Sequence, residues 1–134
     1  MNALAYQTTE MNMNNTFIIR TNRGNIQDLL LNIGFPQHVY GYNYIIYALD
    51  LISVNPEILH HITKELYPEI AKHFGSTPAR VERAIRTAIQ ITWLYGNTQM
   101  INMIFGHTIR PDKGVPTNTQ LLAGLYFFLK QMDH

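Results

Sequence analysis

An all-α single domain of six helices (segmentation allows five to seven), built around a helix-turn-helix, is the fold class the sequence predicts. Three observations carry it. From Asn25 onward apolar residues recur at spacings of three and four; glycines, prolines and N-cap residues punctuate those segments; and no stretch alternates as a half-buried strand would. A chain of 134 residues, 46% hydrophobic and 11% aromatic, supports one core and leaves little room for two. At 14% charged residues it is unlike a highly charged disordered chain. It contains no apolar run long enough to span a bilayer, no signal-peptide pattern at its start and no cysteine. Those features fit a cytoplasmic protein without disulfides or thiolate metal sites.

Residues 1–24, rich in Asn, Thr and Met, read as a flexible N-terminal arm, and residues 25–134 as the folded domain. Residues 16–20 form a candidate strand too short to weigh further, and Arg20 and Arg23 are candidates for entry into a minor groove. A first helix follows from Ile26, Leu29, Leu30 and Ile33 on one face, stopped by Gly34 and Pro36. The second is expected over about residues 42–54. Pro56 should open a third, through about residue 66, with Ile58, Leu59, Ile62 and Leu66 inward. Pro68 opens a short fourth helix that ends at Phe74-Gly75. Thr77 is a natural N-cap and Pro78 a natural first residue for a long helix over residues 78–95, ended by Gly96-Asn97. A shorter helix spans about residues 98–105, and Thr117 or Asn118 caps the last, apolar through Leu121, Leu122, Leu125, Phe128 and Leu129.

Residues 68–95 make a helix-turn-helix. Ala71 permits close helix crossing, Gly75 tolerates a left-handed turn, and Val81 and Ala84 lock the second helix onto the first. At about 100° per residue, Val81, Ala84, Ile85, Ala88 and Ile89 share an apolar arc. Arg83, Arg86, Thr87 and Gln90 lie opposite, flanked by Arg80 and Glu82. Arginine pairs bidentately with guanine, and a carboxylate accepts from cytosine, so this face suits a major groove. Glu82 reads a base, orients a neighbouring arginine, or simply pairs with Arg86 one turn on.

Charge is unevenly distributed along the chain. Over residues 71–113, Lys72, Arg80, Arg83, Arg86, Arg110 and Lys113 face only Glu82 and Asp112, a local net of +4. Elsewhere four cations meet seven acids, a net of −3, so the overall +1 hides a basic segment. A polyanion partner or a solvated basic face both follow from that asymmetry.

The stretch ITKELYPEIAKHFGSTPARVERAIRTAIQITWLYGN, with Ile33-Gly34-Phe35-Pro36, His38 and Gly41-Tyr42 upstream and Phe105-Gly106 and Pro116-Thr117-Asn118 downstream, resembles the DNA-binding effector domain of the stage-zero sporulation protein A family. These are the master sporulation response regulators of endospore-forming bacteria. The resemblance runs from about Asn25 to the C-terminus and is most specific at residues 80–86. It implies a six-helix fold that binds a double-stranded promoter box, usually as tandem copies. Arg80, Glu82 and Arg83 would be its base readers, and Arg86 would hold the backbone or the register. Other candidate backbone contacts are Lys72, His73, Ser76, Thr77, Gln90, Arg110 and Lys113. The sequence departs from the family at Ala79, where serine is usual, at Thr87, where histidine is usual, and at Tyr95, where arginine is common. Family members carry a receiver module upstream, whereas no βα alternation precedes Asn25. The chain is then either a fragment or a free-standing homologue, and the Asn- and Met-rich arm favours the second.

A second class of reading is a protein-interaction module. In it Trp93, Tyr95, Thr98, Met100 and Met103 would dock on the sigma factor of RNA polymerase or on a full-length regulator, and a homodimer on DNA is a further expectation. Met100, Met103 and Phe105 serve equally as core. Of Tyr40, Tyr42, Tyr44 and Tyr47, alternate members are expected in the core with the others on its rim, the alternative being a platform on which bases stack. Neither metal nor cofactor is expected. His60 and His61, being adjacent, diverge on a helix, and HExxH, a phosphate loop and a local catalytic triad are all missing from the sequence. An enzyme is not predicted.

Overall fold

The computed structural model describes residues 23–106 and 114–132. They form six α-helices: α1 (Arg23–Ile33), α2 (Tyr40–Val54), α3 (Tyr67–Phe74), α4 (Pro78–Tyr95), α5 (Thr98–Phe105) and α6 (Asn118–Met132). Among the described residues there is no strand, and no helix is long and apolar enough to cross a membrane. The expected arm up to residue 22, with its strand candidate and Arg20, lies outside the described residues, as do Arg110 and Lys113. Helix α1 begins two residues ahead of the expected start, at Arg23.

The segment after α2 corrects the sequence reading. Residues 56–66 are not one α-helix but a tight 3₁₀ turn, Pro56–His60, and a wide π turn, Ile62–Leu66. Two prolines explain the change. Pro56 starts the tight turn, which His61 closes by donating its N–H to the Ile58 carbonyl at 2.9 Å. Pro68 has no N–H for the Lys64 carbonyl, and its ring would crowd that oxygen in a regular helix. The preceding turn widens instead, with the Leu66 N–H reaching the His61 carbonyl at 3.2 Å. The apolar face survives: Ile58, Ile62 and Leu66 are buried.

Helix α2 is the centre of the molecule. Tyr42, Tyr44, Ile45, Ile46, Ala48, Leu49 and Ile52 are all buried, so it is wrapped on most sides. Helix α4 crosses one side, burying Val81, Ile85, Ala88 and Ile89. Leu121, Leu122, Leu125 and Leu129 of α6 cover another. Gly41 sets the α2–α4 distance: a Cβ built on it would lie 2.3 Å from the Ala84 carbonyl oxygen and 2.8 Å from the Ala88 Cβ. Ala84, expected to bind α4 to α3, is where α2 approaches α4. Thr92, also fully buried on α4, donates its hydroxyl to the Ala88 carbonyl at 2.8 Å.

Caps fix where the helices start. Thr77 accepts the Arg80 N–H at 3.2 Å, and Asn97 accepts the Met100 N–H at 3.2 Å. Thr117 and Gln120 form a reciprocal capping box at 2.9 and 3.0 Å, which makes Thr117 the cap of α6.

Candidate nucleic-acid interface

The helix-turn-helix is made by α3, the turn at residues 75–77, and α4. Gly75 adopts φ +66, ψ +41, the left-handed region where a side chain is strained. That turn lets the N–H groups of Gly75 and Ser76 both return to the Ala71 carbonyl, closing α3. Ile70 and Ala71 are buried on the inner face of α3. With Thr77 capping and Pro78 opening, α4 leaves the turn at a fixed angle, and its polar face is presented outward.

That face is divided. Arg80, Arg83 and Thr87 line a groove whose opposite wall is Val39, Tyr40 and Gly41 at the start of α2, with Gly75 and Ser76 at the turn. Arg80 and Arg83 are exposed, and Ser76 is half-buried. Glu82, Arg86 and Gln90 instead border a separate groove toward the start of α6. Within it Glu82 and Arg86 form an ion pair one turn apart. Arg86 is exposed and Glu82 half-buried with its side chain open to solvent, so the pair contributes little stability. What it does is orient Arg86 and occupy the Glu82 carboxylate. Glu82 therefore makes the i,i+4 pair with Arg86 that its spacing allows.

Lys72, His73 and Thr77 are exposed around the turn. The His73 ring lies flat on Tyr47, centroids 4.1 Å apart and planes 12° apart, and edge-on to Phe74. His73 is therefore a packed ring as well as a surface histidine. The tyrosines divide between core and rim, but not alternately: Tyr42 and Tyr44 are buried, Tyr47 is half-buried, and Tyr40 is 79% exposed.

A residue that the sequence reading missed holds the recognition helix. Asn118, buried at the start of α6, donates its side-chain amide to the Tyr67 hydroxyl at 3.0 Å and to the Glu82 backbone carbonyl at 3.1 Å. It ties α6 to α3 and to the middle of the reading face. Burial pushes the Tyr67 phenol above its ordinary pKa, against the opposing hydrogen bond from Asn118, so the ring stays neutral. The signal was present: Thr117 already caps α6, and Asn118 falls three, four and seven residues before Leu121, Leu122 and Leu125, on the buried face. Replacing Asn118 by alanine removes both hydrogen bonds and leaves the buried Tyr67 hydroxyl without its amide partner. Asn118→Ala is expected to lower unfolding stability by about 1–3 kcal/mol. In a double-mutant cycle with Tyr67→Phe, measured by chemical denaturation, the two losses should be less than additive. Strict additivity would mean that the bond between them contributes nothing.

The candidate protein interface is mixed. Trp93 packs on Phe105 at 5.3 Å, and both Trp93 and Met100 are half-buried against the core. Tyr95, Thr98 and Met103 are exposed, and so is Leu94, which the sequence reading did not single out.

A family model described as sporulation initiation factor Spo0A C terminal matches residues 26–128. The match takes in the helix-turn-helix whole, together with α2, α5 and most of α1 and α6. The family is known as a DNA-binding effector domain.

Proposed function

The chain belongs to the sporulation initiation factor Spo0A C-terminal family, and from that premise we propose that it is a sequence-specific, double-stranded DNA-binding regulator of transcription. The observation that carries the reading is the placement of Arg80 and Arg83 together, exposed, on a helix whose entry angle is fixed by Gly75, Thr77 and Asn118. Two guanidinium forks on one edge of a protruding helix match the acceptor pair of guanine in a major groove. Glu82 acts either on a cytosine amine or through Arg86, which it already holds. Lys72 and His73 flank the turn where the phosphate backbone would pass.

The test is selection of bound sequences from a random duplex pool at about 150 mM salt, with the wild type and Glu82→Ala. A short enriched box is expected for the wild type. A box altered at one position in the variant assigns base reading to Glu82; the same box with weaker enrichment assigns it the orienting of Arg86. The absence of enrichment with folded protein would defeat the proposal.

A second reading, as a protein-docking module, draws on Leu94, Tyr95 and Met103, which expose apolar surface at the end of α4 and on α5. It would prevail if the folded protein bound no duplex yet formed a stable complex with RNA polymerase or a full-length regulator.

A further inference from the structure

The groove beside α4 has a second wall that base reading leaves unused. Facing Arg80 and Arg83 across it is Tyr40, at the start of α2. An exposed tyrosine ring ordinarily samples several rotamers, but this one is braced. It lies nearly parallel to the ring of Tyr44, with centroids 6.4 Å apart and planes 19° apart. Tyr44 is itself buried and edge-on to Phe74 at 5.2 Å. The aromatic body is thus supported from below while 79% of the residue stays in solvent. Among the described residues no hydrogen bond engages its hydroxyl.

Dimensions decide what such a group would meet. An α-helix with its side chains is about 10–12 Å across, and the major groove is about 12 Å wide, so a reading helix fills it. A residue carried by a neighbouring helix, across a cleft from the reading face, then faces the sugar–phosphate wall rather than base edges. The phenol is a neutral donor and the phosphodiester an anionic acceptor, a pairing common in such interfaces.

We propose that Tyr40 is a further DNA-binding residue, whose hydroxyl donates to a phosphodiester oxygen of the strand bordering the segment read by Arg80 and Arg83. This rests on the duplex-binding reading above. Being uncharged, Tyr40 would add affinity and fix register without displacing a counterion. That separates it from a lysine or arginine contact.

Tyr40→Phe keeps the ring and its stack and removes only the donor. Affinity of the full chain would be measured over a series of salt concentrations, on a duplex carrying the selected box and on an unrelated duplex. The variant is expected to bind both about three- to tenfold more weakly, with the slope of log affinity against log salt unchanged. Equal affinity for wild type and variant would overturn the proposal, as would a loss confined to the selected box, which means a base contact. A wild type that binds no duplex defeats the functional reading and this proposal together. A wild type that binds, with an unaffected variant, defeats this proposal alone.

Discussion

Alanine at Gly41 is expected to destabilise the protein by about 3 kcal/mol, a drop on the order of 10 °C in melting temperature. Helix propensity argues the other way. Gly41 lies in the first turn of α2, and in a helix interior alanine is favoured over glycine by up to about 1 kcal/mol. The clash decides the sign, because the added Cβ would stand 2.3 Å from the Ala84 carbonyl oxygen and 3.0 Å from its carbon. Backbone atoms of a packed helix cannot rotate aside, so α2 and α4 must separate, opening the core around Ile45 and Ile85. A control is built into the fold. A Cβ at Gly75 meets nothing within 4 Å, but the backbone there is left-handed at φ +66. Gly75→Ala should cost only the conformational strain, about 1–2 kcal/mol. Thermal and chemical denaturation of both variants would check the ranking. A stabilised Gly41→Ala would mean that α2 and α4 do not approach this closely.

Much of this architecture is legible in the residues because the decisive signals are local. Thr77-Pro78 marks the start of α4 and Gly96 its end; Gly34 and Pro36 stop α1. Capping and proline chemistry act within one turn, so a linear reading reaches them. Residues 56–66 escape it because helical spacing is preserved while the hydrogen-bond pattern is not. Ile58, Ile62 and Leu66 remain inward whether the turns are tight, regular or wide. The competition that chose tight and wide turns, Pro68 against the Lys64 carbonyl, concerns the backbone and leaves the apolar pattern intact.

The candidate site was legible only in part, for a related reason. Angular arithmetic finds the outer face of α4, since it needs nothing but the helix itself. It cannot see that α2 and α6 approach that helix from different sides and divide the face, leaving Arg80 and Arg83 in one groove and Glu82 and Arg86 in another. Asn118 lies 36 residues from Glu82, and Tyr40 stands across the groove from Arg80 at a similar chain distance. Tyr40 has no local signature of such a role. Asn118 nevertheless carried a faint one, as a polar residue on a buried face whose capping work was already done by Thr117.

The division of the reading face makes Arg83 the sharpest probe of function. Arg83→Ala is expected to leave folding stability within about 0.5 kcal/mol, because the side chain is exposed and no ion pair among the described residues holds it. Binding to the selected box should fall by about 1–3 kcal/mol, and preference at one base pair should relax. An unrelated duplex should lose only the share of affinity owed to one released counterion. Arg83→Lys separates the two contributions. Lysine keeps the charge, so the salt slope should match the wild type, but it lacks the planar fork that pairs with both guanine acceptors, so discrimination should still be lost. Arg86→Ala supplies the contrast, since its guanidinium is engaged by Glu82 and borders the other groove. If Arg83→Ala weakened selected and unrelated duplexes equally, Arg83 would be a phosphate contact, and specificity would have to come from Arg80 and Glu82.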